Sequence, residues 1–308
     1  MSLRNLSRPI SFLYPNLSKV YNSFRILKMS SASNQYETLS VSVPKEFIYH
    51  VELNRPDKLN AMNNTMWLEI GKCFHALDYD ENCRVIVLSG AGRLFCAGID
   101  LMDAANQGIE MGEQNDVVRR AKVLRKYITQ YQNSITSLEI CKKPVLAAVH
   151  SGCIGGAVDL ITAADIRYCT QDAWFQVKEV DIGMAADVGT LQRLPKVIGS
   201  DSLVRELCYT ARKFPAEEAL SSGLVSKVFK DKESMLQGVL SVAELIAIKS
   251  PVAVQGTKAN LVYSRDHTVQ EGLDHISQWN QMALQSDDFA EATVAAATKN
   301  KDVVFAKL

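Results

Sequence analysis

Three carboxylates sit where their neighbours oppose a charge. Asp159 lies in Gly156-Ala157-Val158-Asp159-Leu160-Ile161, an apolar setting that penalises its ionised form. Glu179 closes a strand-like run, Phe175-Gln176-Val177-Lys178-Glu179-Val180, and Asp187 stands among small and apolar residues in Gly183-Met184-Ala185-Ala186-Asp187-Val188-Gly189. Such acids either move protons or cap helices, and Asp187, ahead of a predicted helix from Val188, has the position of an N-cap. Asp165 and Asp181 lie nearby, and residue type alone does not choose among the five. Two glycine-bearing segments, Phe95-Cys96-Ala97-Gly98-Ile99-Asp100 and Gly152-Cys153-Ile154-Gly155-Gly156-Ala157, each follow a strand-like run and open toward a helix. Two backbone N–H groups converging from such turns would form an oxyanion hole; ordinary strand-to-helix turns would look the same. Neither segment has the Gly-x-Gly-x-x-Gly or P-loop spacing of a nucleotide site.

The elements that must hold these residues alternate. Residues 46–53 read as a strand ending at the turn Asn54-Arg55-Pro56-Asp57, and 63–79 as a helix with Met66, Ile70, Phe74 and Leu77 on one face. Strands are predicted at 84–89, 144–149, 166–169 and 174–177, a polar helical stretch up to about residue 139, and a helix at 157–164. From residue 201 onward the periodicity is almost wholly helical: 201–208, 215–221, 232–249, 252–264, 268–285 and 287–298. This predicts an α/β core over 37–205 and a C-terminal helical subdomain over 206–305.

The 308 residues carry 34 Lys+Arg against 34 Asp+Glu, a balance unlike that of a nucleic-acid-coating protein. Residues 1–36 hold five bases (Arg4, Arg8, Lys19, Arg25, Lys28) and no acid, so the remainder has 29 bases against 34 acids. This Ser-rich segment reads either as a mitochondrial transit peptide, against which Pro9 and Pro15 count, or as a disordered extension. At the other end Ala306-Lys307-Leu308 is a close variant of the Ser-Lys-Leu peroxisomal signal, which an import receptor would read from a free, mobile terminus. The peroxisome is the first expected location and the mitochondrion the second. No apolar run approaches the ~20 residues of a membrane span. Seven scattered cysteines fit reduced thiols, and five histidines show no ligand spacing, so no metal is indicated. His150 reads as a core or turn histidine.

Several motifs together carry a resemblance that none carries alone. Asn54-Arg55-Pro56 with Asn60-Ala61, Phe95-Cys96-Ala97-Gly98-Ile99-Asp100, Lys143-Pro144-Val145 with Ala147-Ala148-Val149, Gly155-Gly156 ahead of Asp159, Gln192-Arg193-Leu194-Pro195 with Gly199, Ala216-Glu217-Glu218-Ala219 and Gly223-Leu224-Val225 resemble the crotonase (enoyl-CoA hydratase/isomerase) superfamily. The resemblance covers nearly everything after the leader. It implies a ββα spiral core with a C-terminal trimerisation subdomain. Within the superfamily, Asp165 to Thr170, Val177 to Asp181 and Ala185 to Thr190 resemble the dienoyl-CoA isomerase branch.

That resemblance implies roles by position. Ile99 and Gly156 would supply the oxyanion-hole N–H groups; Ala97, Gly98, Ile99, Asp100 and Leu101 would line the thioester. Asp159 and Glu179 match the acid pair that hydratases also use, and Asp187 is the discriminating residue, because similar hydratases have glycine there. The implied reaction converts 3,5-dienoyl-CoA to 2,4-dienoyl-CoA in β-oxidation of unsaturated fatty acids. Glu179 would take a proton from C2, Asp187 would return one at C6, and Asp159 would assist by sharing a proton or orienting its neighbours. No cofactor is implied, since coenzyme A arrives as part of the substrate; Arg55 and Lys58 are candidates for its phosphates. The family implies a homotrimer or homohexamer, and Val262, Val269, Leu273, Ile276 and Trp279 in the tail suit burial of that kind. Enoyl-CoA hydration is the alternative reaction. A non-catalytic, RNA-binding relative is a third reading, opposed by the acidic balance of the body.

Overall fold

A computed structural model describes residues 35–112, 116–300 and 303–308; the leader call on residues 1–36 falls almost wholly outside these. The apolar runs Val-Ile-Val-Leu of β3 (Val85–Gly90) and Val-Leu-Ala-Ala-Val of β4 (Val145–Val149) are buried along their whole length, as interior parallel strands covered on both faces must be. They form the centre of a six-stranded sheet of order β1-β2-β3-β4-β6-β9, with β1 at Leu39–Lys45, β2 at Ile48–Leu53, β6 at Ile166–Thr170 and β9 at Lys227–Phe229. Only the β1–β2 pair is antiparallel. Glu69 fixes the entry to β1 by accepting from the N–H groups of Glu37 and Thr38. A second, three-stranded sheet joins β5 (Gly152–Ile154), β7 (Trp174–Gln176) and the two-residue β8 (Phe214–Pro215).

The helices follow their predicted faces. Helix α1 (Asn64–Asp78) is capped by the Asn63 side chain, which accepts from Met66 N–H, and buries Met66, Trp67, Ile70, Cys73, Phe74 and Leu77. Next come α2 (Leu101–Gly112), α3 (Val117–Ile140), α4 (Gly156–Thr162), α5 (Thr190–Val197), α6 (Asp201–Thr210) and α7 (Ala216–Ser221). The tail is α8 (Lys232–Ala247), α9 (Pro251–Ser264), α10 (Val269–Ala283) and α11 (Asp287–Thr298). Met235, Val239, Ala243 and Ala247 of α8 pack on Ile48, Val85, Val87, Leu146, Ala148 and Tyr168 of the sheet. Among the described residues no single helix is long and apolar enough to cross a membrane.

Three differences from the sequence expectations have local causes. Residues 39–45 form an edge strand whose outer face is exposed, so they lack a sustained apolar run. β8 and β9 lie within the stretch that periodicity reads as helical, and at two and three residues they are too short to show a period. The end of the chain is tied back at its backbone, a contact that composition does not signal, while Ala306, Lys307 and Leu308 keep exposed side chains. Arg84 donates to the carbonyls of Phe305 (2.7 Å) and Ala306 (3.2 Å) as well as to Ala247, and Lys307 Nζ reaches Asn82. Leu308 borders a cavity of about 440 Å³ with Val252, Trp279 and Met282.

Candidate active site

The loops that leave the C-terminal ends of β2, β3 and β4 build the site, as they do in parallel sheets generally. After β3 the chain reaches Cys96, which pairs with Cys153 of β5 through a parallel bridge; Cys96 N–H donates to Gly152 O and Ile154 N–H to Cys96 O. Gly98 then turns with φ +86°, a left-handed value, and a Cβ added there would meet Ile154 O at 2.6 Å. Met62 bridges the next step: its N–H donates to Gly98 O and its carbonyl accepts from Asp100 N–H. Because a parallel bridge uses the groups flanking Ile99, the Ile99 N–H points away from Met62.

The second arm starts at Gly155, where φ is +53°, and enters α4 at Gly156. A side chain at Gly156 would strike Met62 Cε (2.7 Å) and the Trp67 ring (2.9 Å), so only glycine lets the backbone come this close. The first turn of α4 adds the positive end of its dipole at the Gly156 N–H. At the other end of α4, Arg167 donates to the carbonyls of Ile161 and Ala164 and satisfies its terminus. Ala97 and Ile99 are half-buried, Gly98 is buried, and Leu101 opens α2 with its side chain largely in solvent. Asp100 is held by Arg55 (Nη1–Oδ2 3.0 Å); burial pushes its carboxyl up, but this hydrogen bond and the guanidinium charge hold it below the ordinary value. Arg55 is thereby occupied within the fold, while Lys58 is exposed.

Glu179 and Asp159 meet at the second arm, and Asp187 lies near enough for its charge to act on Glu179. Glu179 heads a 3₁₀ turn (Glu179–Ile182), and a Cβ added to Gly155 would lie 3.4 Å from its Oε1, which sets the carboxylate beside the residue preceding Gly156. Its other oxygen is buried without a hydrogen-bond partner. Burial raises its pKa and the nearby Asp187 raises it further, against the pull of local backbone N–H groups. Asp159, fully buried one turn into α4, accepts at Oδ1 from Thr190 N–H and has no partner at Oδ2. Burial, with the Glu179 charge adding to it, pushes its pKa up to about 7. Asp187 is half-buried and raised by the same desolvation. It does not cap α5: the N-cap is Gly189, without a side-chain bond. The competing acids are engaged elsewhere, Asp165 with Lys258 (2.8 Å) and Asp181 with Lys178 (3.0 Å). His150 lies in a turn, with Nε2 3.0 Å from Gly92 O.

Some positioning groups were not legible as such. Asn60, buried with φ +55°, donates from Nδ2 to the carbonyls of Ala91, Leu94 and Phe95 and accepts from Arg55 N–H, clamping the loop that becomes the first arm. Cys96 Sγ donates to Asn60 O (3.0 Å) and accepts from Gly98 N–H (3.4 Å). The bonds from Asn60 to the 91–95 carbonyls and from Cys96 to Asn60 link distant backbone segments, and such pairings leave no spacing signal. All seven cysteines are buried free thiols.

With this α/β fold and two glycine turns on one seam, the chain belongs to the enoyl-CoA hydratase/isomerase family, whose model matches residues 44–303. Among its relatives, the human protein named delta(3,5)-delta(2,4)-dienoyl-CoA isomerase, mitochondrial, is 56% identical over 278 residues, covering 89% of this chain and 84% of that one. The Arabidopsis thaliana protein of that name, designated peroxisomal, is 48% identical over 261 residues, 85% of this chain and 93% of its own. A solved enoyl-CoA hydratase from Bacillus anthracis superposes with a TM-score of 0.78 at 26% identity, covering 87% of this chain and 99% of that chain.

Proposed function

We propose that the protein is an isomerase that converts 3,5-dienoyl-CoA to 2,4-dienoyl-CoA in the β-oxidation of unsaturated fatty acids. The observation that carries this reading is the third acid: Asp187 is half-buried near enough to Glu179 for its charge to raise that carboxyl, and Glu179 itself lies beside the Gly155 turn. The thioester makes the C2 protons acidic. Glu179 removes one, and the electron pair spreads through the 3,5-diene as a dienolate, with negative charge on the thioester oxygen held by the Ile99 and Gly156 N–H groups. Asp187 delivers a proton to C6; the double bonds settle at C2 and C4 with the substrate's proton count unchanged, and Glu179 then releases its proton as Asp187 regains one from solvent. Asp159, buried and held at Oδ1 by the Thr190 N–H, takes the assisting role, sharing a proton or orienting its neighbours.

The test is purified protein with a 3,5-dienoyl-CoA, followed by growth of the strong ultraviolet absorbance of the conjugated 2,4-dienoyl product. Hydration of crotonyl-CoA without dienoyl conversion would instead assign Asp159 and Glu179 to water addition. Residence in the peroxisome, with the mitochondrion as second compartment, follows the two addresses in the relatives' names. A fluorescent fusion with and without Ala306-Lys307-Leu308 checks the import-receptor role of that tripeptide. A homotrimer or homohexamer is supported by apolar side chains that a single chain leaves uncovered, Val269 and Leu273 on α10 among them. Light scattering of the purified protein measures the assembly.

A further inference from the structure

The loop from Asp187 to Thr190 is tied down at three points, and two of them lead to one face of α3. Gln132 Nε2 donates to the Asp187 backbone carbonyl at 2.6 Å. Two residues on, Gly189 has φ +138°, and a Cβ there would fall 2.0 Å from Arg193 Nη1, so the guanidinium lies directly against its Cα. That guanidinium is fixed in turn: Nη2 donates to Thr136 Oγ1 (3.0 Å) and Glu139 Oε2 (2.8 Å), and Nε to the same Glu139 oxygen (3.2 Å). Arg265 holds the other Glu139 oxygen, and the pair of arginines keeps this half-buried carboxylate ionised against the cost of its burial. The third tie is Thr190 N–H to Asp159. Gln132, Thr136 and Glu139 are spaced i, i+4, i+7, so all three rise from one stripe of α3.

We propose that this stripe is an alignment rail for the acid at C6, with Gln132 and Glu139 as positioning residues for Asp187. The proposal rests on the isomerase reading given above. Gln132 sets the height of the Asp187 backbone; Glu139, acting through Arg193, sets the turn that follows it. Among the described residues, the hydrogen bonds of Gln132 and Glu139 go to Asp187, Arg193 and Arg265, not to the Glu179 carboxylate or the two N–H arms. Loss of the rail therefore separates the two halves of the reaction: proton removal at C2 persists while delivery at C6 fails.

The experiment uses the full-length protein and two rates. Exchange of the C2 protons of a dienoyl-CoA with deuterated water reads the Glu179 half, and ultraviolet product formation reads the whole. Gln132→Ala and Glu139→Gln are expected to lower kcat for isomerisation about 10- to 100-fold with KM and C2 exchange near wild type, in line with what misplacement by about 1 Å costs. In Gln132→Ala/Asp187→Asn the losses do not multiply, because a rail without its acid has nothing to align. Wild-type isomerisation in both single variants overturns the proposal. So does a parallel fall of exchange and isomerisation, which would make the stripe a support for the fold at large. If Asp187→Asn itself isomerises normally, the parent reading fails, and the rail with it.

Discussion

On the proposed mechanism, the side chain of Asp187 decides where a proton goes. Burial raises its carboxyl above the ordinary value, the direction a proton donor to carbon requires. Asp187→Asn is expected to lower isomerisation at least about 100-fold, measured by product absorbance, while C2 exchange continues. Asp159 yields a different test, in stability. Its folded pKa of about 7 lies above the ordinary 3.8, so on raising the pH the unfolded chain releases this proton first. Its burial therefore costs nothing below about pH 3.8, grows costlier as pH rises toward 7, and weighs in full above that. Asp159→Asn keeps an acceptor for Thr190 N–H and removes the ionisable group. The variant is expected to melt about 2–4 °C or more above wild type at pH 8, with the gap closing toward pH 4.

Among the elements, the two glycine arms carry the largest expected effects. Gly98→Ala forces a Cβ against Ile154 O and removes the left-handed turn that directs the Ile99 N–H. A loss of about 10²–10³ in kcat with an unchanged circular dichroism spectrum is the expected outcome. Much of this scale was legible in the chain itself. Helix 63–79 was readable because Met66, Ile70, Phe74 and Leu77 recur on one face, and the strands at 84–89 and 144–149 because buried parallel strands are apolar throughout. Glu179 and Asp187 were visible as acids in apolar company, but only the likeness to known sequences singled them out from Asp165 and Asp181. Contacts that join remote segments, such as Asn60 to the 91–95 carbonyls or Gln132 to Asp187, have no local pattern and were read only in three dimensions.

For the whole molecule, the tail is the part whose placement differs most from what its composition suggests. Arg84 ties the carbonyls of Ala247, Phe305 and Ala306 together and stacks 3.9 Å from the Phe47 ring centroid. Arg84→Met removes those donors far from the acids. Amide exchange over 303–308 is expected to accelerate at least about tenfold while turnover stays at the wild-type level, as read by mass spectrometry and the absorbance assay. Equal exchange in both proteins would show that the tail is held by Leu308 and its apolar surroundings instead.

The bridge between Cys96 and Cys153 hangs both N–H arms from a single seam, whereas Glu179 and Asp187 arrive on a separate stretch of chain. If the proposed roles hold, Glu179 and Asp187 could be exchanged to redirect the outcome on the carbon skeleton while the seam that carries the thioester is inherited intact.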